Sequence, residues 1–183
     1  MVEDPRGYHL IRLGEEVVGG LGPSPAGPRF GSSWNVYLAA EDLDRTQAAV
    51  TALGGRVLVP AVPASGNGRL CLALDPQGAP FGLWEGSRAE SIVLADEPGA
   101  LSGCALHTPD PGAAAAFYTA LVGPAAEDYT YVSSPRARWV PHLGVPDLAE
   151  AERQACAAGA RLAAPGVLTD PWGAVFGLAE QPV

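Results

Sequence analysis

The chain has 183 residues, 48% of them hydrophobic and 17% charged, with a formal net charge of -9 at pH 7. All eleven basic residues are arginine, so the chain lacks both a basic patch for nucleic acid and a Schiff-base or phosphate-loop lysine. No apolar run is long enough to span a bilayer, and we expect a cytoplasmic protein with no nucleic-acid or membrane partner.

The first predicted elements are a hairpin, a strand and a helix. The stretch "YHLIRLGEEVVGGLGP" predicts a hairpin that turns at Gly14-Glu15, and the alternating "WNVYLAA" predicts a strand over 34–40. A helix is expected next, since Asp42 supplies an acidic start, apolar residues follow at helical spacing, and Gly54-Gly55 ends it.

Three more strands complete this part of the chain. "RVLVPAV" and "RLCLALD" flank the turn "PASGNG", and "PFGLWEG" follows the turn "DPQG". The segment 99–123 then predicts a strand and a helix, which starts at Asp110-Pro111 and ends at Gly123-Pro124. This order indicates an α+β chain with largely antiparallel sheets.

Much of the sequence is duplicated. Residues 34–57 align with 139–162 at a constant offset of 105, and "DPQGAPFGLWEG" returns as "DPWGAVFGLAEQ" at an offset of 95. The second copy has therefore lost ten residues between Gly159 and Asp170. We divide the chain into a first module at 1–98 and a second module at 99–183.

These motifs together resemble a known family. The doubled "DPxGxxFGL", the helix "AEDLDRTQAAVTALGG" and the segment "TPDPGAAAAFYTALVG" are similar to the vicinal oxygen chelate superfamily, and the N-terminal hairpin resembles the tandem glyoxalase-like proteins. That superfamily includes glyoxalases, extradiol dioxygenases and bleomycin-resistance proteins. The resemblance implies two abbreviated βαβββ modules whose curved sheets face a small-molecule cleft.

The resemblance also implies where metal ligands would lie. The family's last-strand glutamate falls on Gly82 and Gly177, and the other ligand positions fall on Asn35, Gly103 and Val140. Only Asn35 offers an oxygen, which is a poor ligand set for zinc, iron or nickel. We therefore expect no metal and no cofactor, and we interpret the doubled phrase as a turn and strand kept for architecture.

Alternation along the strands selects all of the candidate site residues except Trp139. Trp84 follows Gly82 by two positions, which opens space for a planar ligand beside a stacking surface, although Trp84 could equally pack in the core. The ligand-binding candidates are Trp84, Asn35, Tyr37 and Trp139. The catalytic candidates are His142 and His107, each of which could instead be a hydrogen-bonding strand residue. Glu85 should face the rim or solvent.

Other features bear on chemistry and assembly. The three cysteines are widely spaced without a C-x-x-C motif, which favours reduced, structural thiols, and there is no G-x-S-x-G.

The first module has no counterpart of the strand and helix at 99–123, and we expect a second chain to cover the exposed sheet edge in a homodimer. A chain lacking its N-terminus is the competing interpretation.

Two functions remain open. The first is a metal-independent small-molecule binding protein, as in antibiotic sequestration or self-resistance, which the acidic surface would suit for a cationic drug. The second is a metal-free enzyme of natural-product metabolism, such as an isomerase, cyclase or lyase, with a histidine as general acid or base. A metal-dependent lyase or dioxygenase ranks third.

Overall fold

The computed structural model describes residues 7–23, 32–64, 68–86 and 97–181. The strands are β1 His9–Leu13, β2 Glu16–Leu21, β3 Tyr37–Ala39, β4 Arg56–Pro63, β5 Arg69–Leu74, β6 Pro80–Glu85, β7 Leu101–Thr108, β8 Thr130–Ser133, β9 Arg138–Val145, β10 Arg161–Ala164, β11 Val167–Thr169 and β12 Val175–Glu180. The α-helices are α1 Leu43–Ala52, α2 Pro111–Val122 and α3 Leu148–Ala157, and a 3-10 helix covers Gly123–Asp128.

Each helix begins at an aspartate that the sequence marks. The side chains of Asp42 and Asp147 accept hydrogen bonds from the third backbone N–H that follows, at Arg45 and Glu150. Asp110 does the same at the start of α2, where proline at the first helical position loses no hydrogen bond. The predicted helix starts are therefore confirmed.

Most predicted strands are confirmed, with one shorter than expected. The hairpin β1–β2 turns at Gly14, whose positive φ of 60° glycine adopts without strain. Of the expected strand 34–40, only Tyr37–Ala39 is extended and paired. The shortened hairpin of the second copy is the brief pair β10–β11, which turns at Gly166.

The chain divides into two compact units that interleave along the sequence. Unit 1 comprises 1–34, 91–103 and 140–183, and unit 2 comprises 35–90 and 104–139. The first copy's strands and helix α1 lie in unit 2, whereas α3 and the second copy's later strands lie in unit 1. The predicted boundary between modules 1–98 and 99–183 follows the sequence repeat and not these units, and it stays a prediction.

Unit 2 contains a four-stranded sheet in the order β3-β6-β5-β4 and the parallel pair β7–β8. Its hydrophobic core combines residues of this sheet with Leu43 and Val50 of α1 and with Phe117 and Tyr118 of α2. Phe81 of β6 packs edge-on against Tyr118, with 5.5 Å between the ring centroids. This core fixes one face of β3 and β6 against the helices.

Unit 1 repeats the arrangement on a smaller scale. Strands β10, β11, β12 and β9 are neighbours in that order, and β12 runs parallel to β9 just as β6 runs parallel to β3. The other sheet pairings in both copies are antiparallel. The predicted α+β class is confirmed, and none of the described helices is long and apolar enough to cross a bilayer.

Candidate functional site

The repeated segments 75–86 and 170–181 form the same turn in each copy. Asp75 Oδ1 accepts hydrogen bonds from the N–H groups of Gln77 and Ala79, at 2.9 and 2.8 Å. Asp170 Oδ1 accepts from Trp172 and Ala174 at the same two distances. Each aspartate satisfies two backbone donors of its own turn. The two turns therefore have the same shape and lead into β6 and β12 in the same way.

The glutamate at the end of each phrase caps a helix. Glu85 Oε1 accepts from the N–H of Leu43 at 2.9 Å, and its other oxygen pairs with Arg69 at 3.1 Å. Glu180 Oε2 accepts from the N–H of Leu148 at 3.2 Å. Glu85, expected at the rim or in solvent, is half-buried, and its carboxylate satisfies a donor at the positive end of α1.

The glycines at the family's glutamate position each lie beneath a ring. In unit 2, Tyr37 pairs with Gly82 across β3 and β6, and a Cβ added at Gly82 would fall 2.8 Å from Tyr37 Cγ. In unit 1, His142 pairs with Gly177, where an added Cβ would fall 2.6 Å from His142 Cγ. Only glycine leaves room for these rings.

Trp84 lies on the same strand as Gly82, two residues further on, and on the same face. Two glycines flank its indole: a Cβ at Gly86 would lie 2.8 Å from Trp84 Nε1, and one at Gly68 would lie 3.2 Å from Cε2. The residue is half-buried, yet its Nε1 is buried and has no acceptor among the described residues. A buried N–H without an acceptor costs free energy, and this one is enclosed by the surrounding chain.

His142 is held in unit 1 by its strand and by its position over Gly177. Its backbone oxygen accepts from Ser102 Oγ at 3.2 Å. Burial lowers the pKa of the imidazole below its ordinary value, an effect opposed by a hydrogen bond to the backbone of Val140. The ring therefore tends to be neutral near pH 7, with one nitrogen able to accept a proton.

The remaining predicted residues lie in unit 2. Asn35 precedes β3 and is half-buried, and His107 lies near the end of β7 beside Val132 of β8. Trp139, expected at the ligand, is instead a core residue: its side chain is 3% exposed and its Nε1 donates to Tyr118 Oη at 3.0 Å. We therefore exclude Trp139 from the candidate site.

Sequence reasoning missed a buried polar chain in unit 2. Tyr118 Oη accepts from Trp139 and donates to Asp75 Oδ2 at 3.3 Å. Burial raises the pKa of Asp75, and it raises that of Tyr118 further, with help from the nearby Asp75 charge. The sequence signal was a tyrosine inside a mostly apolar helix, which predicts a buried hydroxyl with a partner.

The structure thus brings Tyr37, Gly82 and Trp84 together on one face of the unit 2 sheet. His142 and Gly177 form the matching pair in unit 1. A shallow groove of about 350 Å³ also exists in unit 2, where the turn at Pro76-Gln77 meets α2. None of the predicted site residues lines this groove.

The described residues do not fit a metal centre of the family's kind. The two glycines have no donor atom, and the rings of Tyr37 and His142 fill the space where a carboxylate side chain would start. Nowhere in 7–23, 32–64, 68–86 and 97–181 do three His, Cys, Asp or Glu side chains come together as a metal site would require. We derive no chemistry through a metal.

No family model matches the sequence. The chain is 31% identical over 204 aligned positions to proteins called "Putative glyoxylase CFP32" from Mycobacterium bovis and Mycobacterium tuberculosis, covering 92% of this chain and 78% of each relative. The chain belongs to the vicinal oxygen chelate superfamily. This glyoxalase-like membership agrees with the repeated β3–β6 and β9–β12 pairing of the two copies.

The chain is also similar to one solved structure and to part of a second relative. The Mn(II)-bound glyoxalase from Novosphingobium aromaticivorans matches with a TM-score of 0.54 at 17% identity, over 80% of this chain and 62% of that one, so this chain spans less than two thirds of it. The anthracycline biosynthesis protein DauV of Streptomyces sp. (strain C5) is 35% identical over 95 residues, covering 52% of this chain and 34% of DauV. At 17% identity, the structural match shows the fold alone.

Proposed function

We propose that this glyoxalase-like protein binds an amphipathic or aromatic small molecule without a metal, on the face that carries Tyr37 and Trp84. One observation carries the proposal: Tyr37, which is exposed, and Trp84, which is half-buried, lie on the same face of β3 and β6, and Gly82 on that face has no side chain. A planar ligand would stack against the accessible parts of these two rings.

The relatives and the charge support a natural-product ligand. DauV and the similar DnrV of Streptomyces peucetius are anthracycline biosynthesis proteins, and their similarity covers about half of this chain. The net charge of -9 favours association with a cationic molecule. Sequestration or self-resistance is the function that fits a binding site of this kind.

The test uses a fluorescent anthracycline, which is planar and carries an amine. We expect Trp84→Ala to weaken its binding by about 1 to 3 kcal/mol in a fluorescence titration, because the stacking surface is removed. Alanine is tolerated at this strand position, since the second copy has Ala179 there. Trp84→Phe keeps an aromatic ring, so we expect it to retain most of the affinity if stacking is the main contribution. An unchanged affinity in Trp84→Ala would contradict the site.

The alternative is a metal-free tailoring enzyme, and the half-buried His142 is the observation that favours it. A neutral imidazole near pH 7 can accept a proton from a bound substrate, and His107 is the second candidate for this role. We expect His142→Ala to abolish conversion of a bound polyketide precursor, followed by mass spectrometry, while affinity stays within about tenfold. Conversion at the wild-type rate would remove His142 from catalysis.

We further propose that the protein is a cytoplasmic homodimer. The free thiols of Cys71, Cys104 and Cys156 suit a reducing compartment. Native mass spectrometry with elemental analysis tests the assembly and the absence of metal together. A metal-free dimer with an added small-molecule mass would support the proposals, whereas a stoichiometric divalent metal would contradict a metal-independent site.

A further inference from the structure

We propose that Arg138 forms a second binding site in unit 2, which takes the carboxylate of a small molecule with an apolar body. We call it the Arg138 site. The inference goes beyond the aromatic ligand proposed above and does not rest on it. Its basis is a half-buried guanidinium without a hydrogen bond or ion pair among the described residues, in a chain with 20 acidic and 11 basic residues.

Two of the described arginines are half-buried, and they differ in their partners. Arg69 pairs with Asp44 at 2.8 Å and with Glu85 at 3.1 Å. Arg138 has no carboxylate partner, and its Nε is buried without an acceptor. Its two terminal nitrogens are not buried, so their N–H groups remain open to a ligand. Leaving a partly desolvated cation unpaired costs free energy, which a bound oxyanion would recover.

The fold holds Arg138 in place. The next residue, Trp139, is 3% exposed and donates to Tyr118 Oη at 3.0 Å. In the loop before it, the N–H of Ser134 donates to the oxygen of Thr108 at 2.9 Å, which places the start of β9 beside the end of β7. Because the enclosed Nε also fixes the root of the guanidinium, little conformational freedom is lost when an anion binds.

The sheet face beside Arg138 is largely apolar. Trp139 packs in the core against α2, so alternation turns Arg138 to the opposite face of the sheet. On the neighbouring strand β7, Leu106 belongs to the same core, so Ala105 and His107 lie on the face of Arg138. An apolar ligand body beside the guanidinium would therefore meet little polar surface.

The strands around the Arg138 site carry no acidic residue. β7, β8 and β9 contain neither aspartate nor glutamate. At the end of the sheet where Arg138 lies, the bordering acidic residue is Asp110, whose carboxylate caps α2. The opposite ends of these strands are bordered by Glu97, Glu127, Asp128 and Asp147. The charge along these strands therefore favours an anion at Arg138, although the chain as a whole is acidic.

Geometry and charge select a carboxylate as the ligand group. A guanidinium can donate two parallel N–H bonds to the two oxygens of a planar carboxylate. A carboxylate carries one negative charge, whereas a phosphate monoester carries close to two near neutral pH and is repelled more strongly by the acidic chain. Arg138 supplies a single positive charge, which matches the carboxylate.

The test uses cyclohexanecarboxylate, whose ring is not planar and offers no aromatic surface for stacking. We expect Arg138→Ser to raise its dissociation constant at least about tenfold in a proton NMR titration, because the charge and both donors are lost. At the repeat offset of 105 the first copy has Ser33 at this position, so we expect the variant to fold. As a matched control, Arg161→Ser removes the same charge from exposed β10, and the change should be less than about twofold.

Two further measurements separate the possible results. Arg138→Lys keeps the charge without the paired donors, so its affinity should lie between those of the wild type and Arg138→Ser. Cyclohexanecarboxamide has the same ring without a charge and should bind the wild type and Arg138→Ser alike. Equal losses in Arg138→Ser and Arg161→Ser would show non-specific attraction and overturn the site. Wild-type affinity in Arg138→Ser, or no binding of cyclohexanecarboxylate to the wild type, would overturn it as well.

Discussion

At the scale of single residues, the two copies place different rings over equivalent glycines. Tyr37 covers Gly82 and His142 covers Gly177, in the same parallel register. A tyrosine contributes a surface and a hydroxyl, whereas a histidine also contributes a proton acceptor near neutral pH. The two copies therefore differ in chemistry at this position: one carries a phenol ring and the other an imidazole.

The contact between Tyr37 and Gly82 predicts that adding one methyl group at residue 82 lowers the stability of the fold. We expect Gly82→Ala to lower the free energy of unfolding by about 1 to 3 kcal/mol in a urea titration, because the new Cβ would meet the tyrosine ring. The double variant with Tyr37→Ala should recover part of the loss. Gly103→Ala is the control, since nothing lies within 4 Å of its added Cβ, and a loss as large there would contradict the steric explanation.

The lowered pKa of His142 predicts a pH dependence of stability. The unfolded chain takes up a proton near the ordinary histidine pKa of about 6.5, and the folded chain does so only at lower pH. Stability is therefore full above that value and falls as the pH drops towards the folded pKa. Denaturant unfolding between pH 7.5 and about pH 5 measures the change. In His142→Tyr, which copies Tyr37, this part of the pH dependence should disappear; its persistence would assign it to another group.

At the scale of elements, each copy is held by the same set of polar contacts. Asp42 and Asp147 cap the helices, and Asp75 and Asp170 close the turns. Gln47 and Glu152 occupy equivalent helix positions and accept from a backbone N–H of the hairpin that follows. These contacts orient helix, hairpin and last strand, and they leave the ring positions free to differ.

The two capping glutamates predict unequal losses. Glu85 is 29% exposed and bonds both Leu43 and Arg69, so Glu85→Ala should lower the free energy of unfolding by about 1 to 2 kcal/mol. Glu180 is exposed and makes a longer bond to Leu148, so Glu180→Ala should cost less than about 1 kcal/mol. Urea titrations of both variants provide the measurement, and equal losses would contradict burial as the reason.

The sequence predicted these elements well because their signals are local. Asp110-Pro111 fixes a helix start through its own backbone geometry, and the offset between Gln47 and Glu152 follows from the repeat alone. The failures concern contacts made across long sequence distances. Trp139 is next to Val140 on β9, so alternation places it on the face opposite the predicted ligand positions. There its indole donates to Tyr118 of α2, a contact that the local sequence does not reveal.

At the scale of the whole molecule, burial is unequal between the two units. The main hydrophobic cluster of the described residues lies in unit 2, where no residue of β5 is exposed and half of its residues are buried. In unit 1, every residue of β10 is exposed and α3 buries none of its residues. Local stability follows apolar burial, so the two units should open with different free energies.

Hydrogen exchange checks this difference. In the monomer at low concentration, we expect the paired amides of β10 and β11 to exchange at least about tenfold faster than those of β5 and β6. The reason is the small apolar burial of the β10–β11 hairpin, since both regions are hydrogen-bonded strand pairs. Uniform exchange across the four strands would mean that the chain opens only as one cooperative unit.

The polar contacts that both copies share also bear on how the repeat diverged after the duplication. A duplicated gene begins with two identical halves, and every later difference marks a position that the fold did not require. Here the carboxylates at Asp75 and Asp170 have stayed the same, while Gln77 has become Trp172 or the reverse, and Tyr37 and His142 have parted. The two copies therefore share the contacts that hold the fold and differ in a few side chains that those contacts do not constrain.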